Sequence, residues 1–397
     1  MKILIADKVS PKMIADLKVL GAEVVSKPDI SAEDLPGAIG NAKVLIVRSK
    51  KVSAKTIEAG QNLSLIVRAG AGVNTIDLDA ASRRGTYVAN CPGKNTDAVA
   101  ELVIGLLIAC DRGIVDASLA LREGKWQKKR FGKANGLKTR TMGIIGTGAI
   151  GMAVARRAQA LEMKVIAWSR SLTPEKAEAQ GFEYASTPIE IAQKADAVSI
   201  HVAAAPETKG MINAKFFNAM KKGAIFLNAA RGDVVDQVAL LKAINEKGIK
   251  AGLDVFANEP AGGDDPFDQV ELASKVACTP HIGASTEQSE EAIAEEAIRI
   301  VKEFIRAGSP PNVVNVREAQ AAGSTMVIRH YNRVGVLARV LDQLRDEGIN
   351  IEEMQNLIFK HAEAASCSIR VDKIPSPKVL ALLGNDPDII EVSSGLL

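Results

Sequence analysis

Apolar and polar positions alternate in two rhythms along the first part of this chain. Through about Asn90, the short runs KILIAD, AEVV, KVLIV, LSLIVRAG and TYVAN read as strands, and most of the stretches between them carry helical periodicity. That alternation predicts a parallel sheet with helices on both faces. From Asn95 the pattern predicts one long apolar helix, TDAVAELVIGLLIACDRGIVDASLALREG. A second strand–helix series runs from Thr141 to about Cys278, with TMGIIG, KVIAWS, AVSIHV, AIFLNA, GIKAGLDVF and KVACTP as its strands. An amphipathic helix, EQSEEAIAEEAIRIVKEFIRAG, follows. The stretch SPPNVVNVREAQAAGST has paired prolines and no sustained period, so it reads as a linker. Beyond it six segments, from MVIRHY to DIIEVSSGL, alternate as βαββαβ, the ferredoxin-like plan.

A length of 397 residues exceeds what one hydrophobic core organises and implies two to three domains. With 47% hydrophobic and 24% charged residues the composition is that of a globular protein. A formal charge of +3 supplies no field for a nucleic-acid or membrane partner, and neither is expected. Cys91, Cys110, Cys278 and Cys367 are scattered, without the spacing of a disulfide framework or a metal site, which suits a reducing compartment. MKILIADKVS reads as a first strand rather than a signal peptide, and the richest apolar run, Ala98 to Cys110, is short and interrupted by Glu101. These features lead to the expectation of a cytoplasmic protein.

Gly146-Thr147-Gly148-Ala149-Ile150-Gly151 leaves the apolar strand MGII and opens a helix. In that context the glycines permit a tight turn, close backbone approach to a pyrophosphate and close helix–strand packing, with the helix N-terminus favouring the phosphate charge. NAD or NADP is therefore the expected cofactor. The next strand ends in VIAWSRS, so Ser169 and Arg170 stand where a carboxylate often bonds the ribose diol. A hydroxyl and a guanidinium suit a 2′-phosphate, which favours NADP; an Arg170 lying in solvent would leave a site for NAD. Three further stretches, NAARGDVVD, GLDVFANEP and TPHIGAST, place Arg231, Glu259 and His281 at or just after strand ends, where an open α/β sheet presents its ligands.

These three stretches, the fingerprint, RAGAGVNTIDLDAASRRG and NCPGKNTDAVAELVIGLLIA together resemble the D-isomer-specific 2-hydroxyacid dehydrogenase family over nearly the whole chain. The similarity is greatest to members that act on a phosphorylated substrate and carry a C-terminal ACT domain. The resemblance implies a split, flavodoxin-like substrate domain (residues 1–93 and 281–310), an inserted Rossmann domain with a doubly wound sheet (94–280), a linker (311–323) and a ferredoxin-like ACT regulatory domain (324–397). It further implies a catalytic trio. His281 exchanges the proton of the substrate oxygen, Glu259 orients the imidazole and favours its protonated form, and Arg231 grips the α-carboxylate. By the same resemblance Asp254 bonds the nicotinamide carboxamide, Asn95-Thr96 lies by the nicotinamide, and Ala71, Gly72, Val73 and Asn74 cradle the substrate carboxylate.

A substrate phosphate calls for cations. Arg48, with Lys50 and Lys51 behind it, matches the family's phosphate ligand, and Lys128, with Lys129 and Arg130, matches a loop that reaches a neighbouring active site across a dimer. The loop after Arg48-Ser49 is about one residue short and Lys128 replaces a common arginine, so an unphosphorylated acid such as glyoxylate or hydroxypyruvate stays open as substrate. In the C-terminal module His330, Asn332 and Asn350 match positions that bind a serine effector, although Val334 replaces a frequent proline. A homodimer or homotetramer is implied. A non-catalytic nucleotide and amino-acid sensor is the reading from another class, and the trio argues against it, since a sensor needs no proton-exchanging histidine.

Overall fold

The computed structural model describes residues 1–260, 266–317 and 324–396. The expected linker residues 318–323 and the last position, Leu397, lie outside the described residues. Five short strands, β1 (Lys2–Ile5), β2 (Glu23–Ser26), β3 (Val44–Val47), β4 (Leu65–Arg68) and β5 (Tyr87–Asn90), form a parallel sheet in the order β2-β1-β3-β4-β5. This is the flavodoxin-like order. Ile3 and Ile5 face one core with Val44, Ile46 and Val67, whereas Leu4 faces the other with Leu45 and Ile66. Strands buried on both faces need apolar residues in both registers, which explains the near-continuous runs in the sequence. Helix Glu287–Ala307 covers the first of these faces through Ile293, Ala297, Ile300 and Phe304, so the chain returns to its first sheet after building a second.

The second sheet holds β6 (Thr141–Ile145), β7 (Lys164–Trp168), β8 (Glu183–Tyr184), β9 (Ala197–Ile200), β10 (Ile225–Asn228), β11 (Lys250–Leu253) and β12 (Ala277–Cys278). All are parallel, in the order β12-β11-β10-β9-β6-β7-β8. The winding reverses between β6 and β9, and such a switch point opens a crevice outside the strand C-termini. Two-residue β8 was not anticipated, being too short to show a period.

The single long helix expected from Asn95 is two. Thr96–Arg112 ends at Gly113, whose left-handed backbone (φ 61°, ψ 37°) lets its N–H close on the Ala109 carbonyl, and Ile114–Arg122 starts afresh. Glycine in that conformation stops a helix, and apolar residues on either side conceal the break from periodicity.

The first compact unit ends at Asn315 and the second begins at Val316, so the first part of the expected linker belongs to the first unit. The cause is a pair of asparagines. Asn315 Oδ1 accepts the Val88 N–H at 2.8 Å while its amide donates to the Thr86 carbonyl at 2.9 Å. Asn312 donates to Glu296 Oε1 at 2.6 Å. The Asn315 bonds satisfy the edge of β5, a task no pattern of apolar residues announces.

In the second unit β13 (Ser324–Tyr331), β14 (Ile351–Ile358), β15 (Ala364–Val371) and β16 (Ile389–Leu396) make an antiparallel sheet in the order β14-β15-β13-β16. Helices Val336–Asp346 and Pro377–Gly384 complete the ferredoxin-like βαββαβ plan over a core that includes Met326, Ile328, Val340, Ile369 and Leu383. Among the described residues no helix is long and apolar enough to cross a membrane, and no cluster of side chains could hold a metal.

Candidate active site

A cleft of about 710 Å³ lies within the first unit, lined from one side by the segment after β4 and from the other by loops after β6, β9, β10 and β11. Its nucleotide end is the glycine turn. Gly146 leaves β6 with φ 102°, and a side chain there would meet the His201 carbonyl oxygen at 2.5 Å. A Cβ on Gly151 would come within 1.9 Å of the Gly146 oxygen, so the first turn of helix Ala149–Ala160 can press against the strand exit only as glycine. A Cβ on Gly148 would meet no protein atom within 4 Å, and no side chain caps the helix that this residue starts. The turn thus offers free backbone N–H groups on an open side, where Ala149 and Ile150 follow, and these fit a pyrophosphate.

At the end of β7, Ser169 Oγ lies 2.7 Å from Thr147 Oγ1, which ties the second strand's exit to the glycine turn. Arg170 points outward, with 79% of its side chain exposed, and pairs with Glu207 Oε1 at 3.3 Å. The guanidinium expected to greet a 2′-phosphate already has a carboxylate beside it.

Arg231 follows β10, and two devices hold its loop. Asn228, buried at the strand end, donates to the Arg231 carbonyl at 3.0 Å and accepts from the Ala230 N–H at 3.0 Å. A Cβ on Gly232 would lie 2.0 Å from the Phe256 oxygen, so this glycine lets the Arg231 loop touch the loop bearing Glu259. Phe256 N–H in turn donates to Glu259 Oε1 at 2.9 Å, and Glu259 Oε2 lies 2.6 Å from His281 Nδ1. The three residues expected as a trio are therefore joined through the ends of β10, β11 and β12.

Asp254 fixes the histidine's loop. It is 1% exposed, and its carboxylate accepts from Thr279 Oγ1 at 2.6 Å and from the Ile282 and Gly283 N–H groups at 2.8 and 2.9 Å. His281 N–H donates to the Asp254 carbonyl at 2.8 Å, and its backbone sits at φ 53°, uncommon for a residue with a side chain. Each hydrogen bond accepted by the Asp254 carboxylate comes from this loop.

The hydrogen bond to Glu259 raises the His281 pKa above 6.5; burial and Arg231 oppose, and the charges of Glu259 and Asp254 reinforce. For Glu259, burial would raise the pKa, but the bonds from His281 and the Phe256 N–H outweigh it and hold the carboxylate below its ordinary value. Both shifts favour an imidazolium–carboxylate pair. His201, which also lines the cleft, is the opposite case, since burial drives its pKa down to about 3. Glu259→Gln should therefore shift the pH limb of turnover toward acid. In the proton-exchanging role expected for His281, reduction of a 2-oxo acid would need the imidazolium and be lost as pH rises through the His281 pKa, whereas oxidation would need the neutral ring and be gained there. Both limbs should move to lower pH in the variant, and pH–rate profiles of wild type and variant check this.

The substrate side is built on the turn after β4. Ala71, Gly72, Val73 and Asn74 line the cleft, and Asn90 Nδ2 donates to the Ala71 carbonyl at 2.6 Å. A Cβ on Gly72 would stand 2.6 Å from Arg231 Nη2, so the arginine reaches across the cleft onto this turn. Asn95 lines the cleft and Thr96 opens the helix behind it.

Other expected residues are placed elsewhere. Arg48 is outside the cleft lining and gives its Nη1 to Glu290 Oε1 at 2.8 Å. Lys128 is exposed on the short helix Lys128–Phe131 and does not line the cleft of its own chain. In the second unit the register sets His330 level with Ile358, through Ala365, while Asn350 precedes Ile351 at the opposite end of β14. At about 3.3 Å per residue the separation is roughly 25 Å along the strands, so Asn332 neighbours His330 but Asn350 does not. The chain does not gather these three into one site.

Sequence reasoning passed over Asn228, Gly232 and Arg68. Asn228 and Gly232 flank Arg231 in the quoted stretch NAARGDVVD, and their roles need the neighbouring loop to be visible.

Comparisons with known proteins converge on one family. Residues 104–283 match the model of the D-isomer specific 2-hydroxyacid dehydrogenase, NAD binding domain. A D-3-phosphoglycerate dehydrogenase of Archaeoglobus fulgidus is 39% identical over 308 residues, covering 76% of this chain but only 58% of that protein, so the chain spans well under two thirds of this relative's length. A glyoxylate reductase of Thermococcus litoralis is also 39% identical, over 67% of this chain and 81% of that protein. The NAD⁺-bound 3-phosphoglycerate dehydrogenase of Entamoeba histolytica superposes with a TM-score of 0.66 at 28% identity, over 80% of this chain and 99% of that one.

Proposed function

This chain belongs to the D-isomer-specific 2-hydroxyacid dehydrogenase family, and from that premise we propose that it oxidises D-3-phosphoglycerate to 3-phosphohydroxypyruvate, the entry step of L-serine synthesis. The observation that carries the proposal is the His281–Glu259 pair at 2.6 Å on the cleft that Arg231 spans. The glycine turn, with the N–H groups that Ala149 and Ile150 bring, would hold the pyrophosphate of a nicotinamide cofactor, which would supply the hydride acceptor for the substrate's C2.

The chain's own side chains do the rest. Arg231, stretched over the Gly72 turn, holds the α-carboxylate against the N–H groups of residues 71–73. Nδ1 of His281 is committed to Glu259, which leaves Nε2 to take the hydroxyl proton as C2 gives up its hydride. Glu259 stabilises the imidazolium that results, as a charge-assisted acceptor at short range. In reduction the same atoms run in reverse. The bond from Glu259 raises the His281 pKa and so favours the protonated ring, the form that reduction of the 2-oxo acid would need. The test is cofactor reduction by the two enantiomers of 3-phosphoglycerate. The D form should be turned over and the L form left; turnover of neither contradicts the assignment.

A reductase of glyoxylate or hydroxypyruvate is the second reading, supported by Arg48 being engaged with Glu290 and by Lys128 lying outside the cleft. For the cofactor, Glu207 beside Arg170 weighs against a 2′-phosphate, although both side chains are mostly exposed. Exposed ion pairs contribute about 0–1 kcal/mol. Glu207→Gln should therefore lower KM for NADPH by up to roughly 5-fold relative to NADH, read from steady-state kinetics with each. Amino-acid regulation through the second unit would require His330 and Asn332 of one copy to meet Asn350 of another, because one chain holds them apart.

A further inference from the structure

A formal net charge of +3 over 397 residues hides one local concentration. In the first unit a cavity of about 280 Å³ is lined by Arg112, Arg130, Lys133, Lys250 and Lys275. It shares no lining residue with the cleft. It lies beside the first residues of β11 and β12, the ends opposite those that lead to Glu259 and His281.

Gly113 builds it. The left-handed stop at this residue ends helix Thr96–Arg112 and leaves Arg112 in the cavity lining. A Cβ on Gly113 would meet Phe131 Cδ1 at 3.4 Å, so the break also seats the ring that ends the short helix Lys128–Phe131. That seat brings Lys133 to the same cavity, along with Arg130, whose guanidinium carbon lies 4.9 Å from the Phe131 ring centroid. Lys250, the first residue of β11, donates from Nζ to the Asp111 carbonyl at 3.3 Å. A carbonyl at a helix end takes that hydrogen bond but leaves the ammonium charge unanswered.

Two carboxylates line the cavity, and neither balances this set. Asp111, with 1% of its side chain exposed, accepts from Arg140 Nη1 and from the Gly136 N–H, both at 3.1 Å. Asp116 lies 4.0 Å from Arg130, and Lys275 has Glu271 at 3.6 Å. Arg112, Lys133 and Lys250 form no ion pair among the described residues. Protein surfaces ordinarily intersperse the two signs. A concavity of one sign, walled in part by apolar groups such as Ala109, Ala251 and Phe131, focuses the field and concentrates counter-ions. Arg112 and Arg130 offer planar forks to phosphate oxygens, and Lys133 and Lys250 add point charges. A single carboxylate would leave most of these cations unmatched, whereas a multiply charged phosphate chain matches them.

We propose that this cavity binds the pyrophosphate group of a small ligand, at a site separate from the dinucleotide cleft.

The test uses the full chain with its cleft saturated by NADH, so that a second site is read alone. Calorimetry at constant ionic strength measures binding of inorganic pyrophosphate and of ADP to the wild type, Lys133→Glu and Arg112→Gln. One pyrophosphate should bind per chain, and each variant should weaken it roughly 10-fold or more, the loss of a charge-assisted contact. Both side chains are exposed, so the variants should melt no lower than the wild type, their repulsion with neighbouring cations being eased. ADP binding with similar affinity assigns the site to nucleotides, and exclusion of ADP assigns it to the inorganic ion; either upholds the proposal. Failure of pyrophosphate to bind the NADH-saturated chain overturns it. So does binding unchanged in both variants, or equal binding of sulfate, the mark of general screening.

Discussion

Replacing His281 with alanine should lower turnover by roughly 10²- to 10⁴-fold, the usual contribution of a positioned acid–base group, while NADH affinity stays within about 3-fold of wild type. The size of the loss follows from the absence of a substitute. His201 also lines the cleft, but its pKa of about 3 leaves it neutral and a poor base at working pH. Asp254 is occupied by Thr279 and two backbone N–H groups. The glycine turn that fits the pyrophosphate lies on β6 and the helix after it, apart from the loop that carries His281, so nucleotide binding should survive. Steady-state rates together with fluorescence titration of NADH separate the two effects. A variant keeping more than about a tenth of the rate would remove His281 from the chemistry.

Arg231→Lys should be the second large loss, roughly 10- to 200-fold in kcat/KM for the 2-oxo acid, equivalent to one charge-assisted hydrogen bond at about 1.5–3 kcal/mol. Lysine keeps the charge but not the fork, and its ammonium cannot lie flat over the Gly72 turn as the guanidinium does. The effect should fall mainly on KM, because in the proposed role the side chain grips a carboxylate that is present in both ground and transition states. Comparison of kcat and KM for the variant checks the division, and a kcat/KM within 3-fold of wild type would mean the carboxylate is held elsewhere.

Much of this fold was legible because its strands are buried on both faces. Runs such as VLIV and TMGII have no polar register, and only a parallel sheet covered twice satisfies them. The loops of the candidate site were legible for a different reason. Arg231, Glu259 and His281 are polar residues set directly against apolar strand ends, in an order that a family shares. What escaped is what depends on a neighbour distant in sequence. The helix break at Gly113 shows no change of period, and the hold of Asn315 on β5 crosses more than two hundred positions. Ion-pair partners escaped for the same reason. Glu290 on Arg48 and Glu207 on Arg170 each alter what the arginine can bind, and neither lies near its partner in the chain. Arg68 looked like the last residue of an apolar strand, and only the cleft shows that its guanidinium turns inward.

The central claim is that this cleft exchanges hydride with a phosphorylated 2-oxo acid. It is tested most directly by the wild-type rates of reduction of 3-phosphohydroxypyruvate and of hydroxypyruvate, each with NADH and with NADPH. The account predicts at least about a 10-fold higher kcat/KM for the phosphorylated acid, with either cofactor, from the added charge-assisted contacts. Equal or better use of hydroxypyruvate would contradict it and assign the cleft to the reductases of the same family.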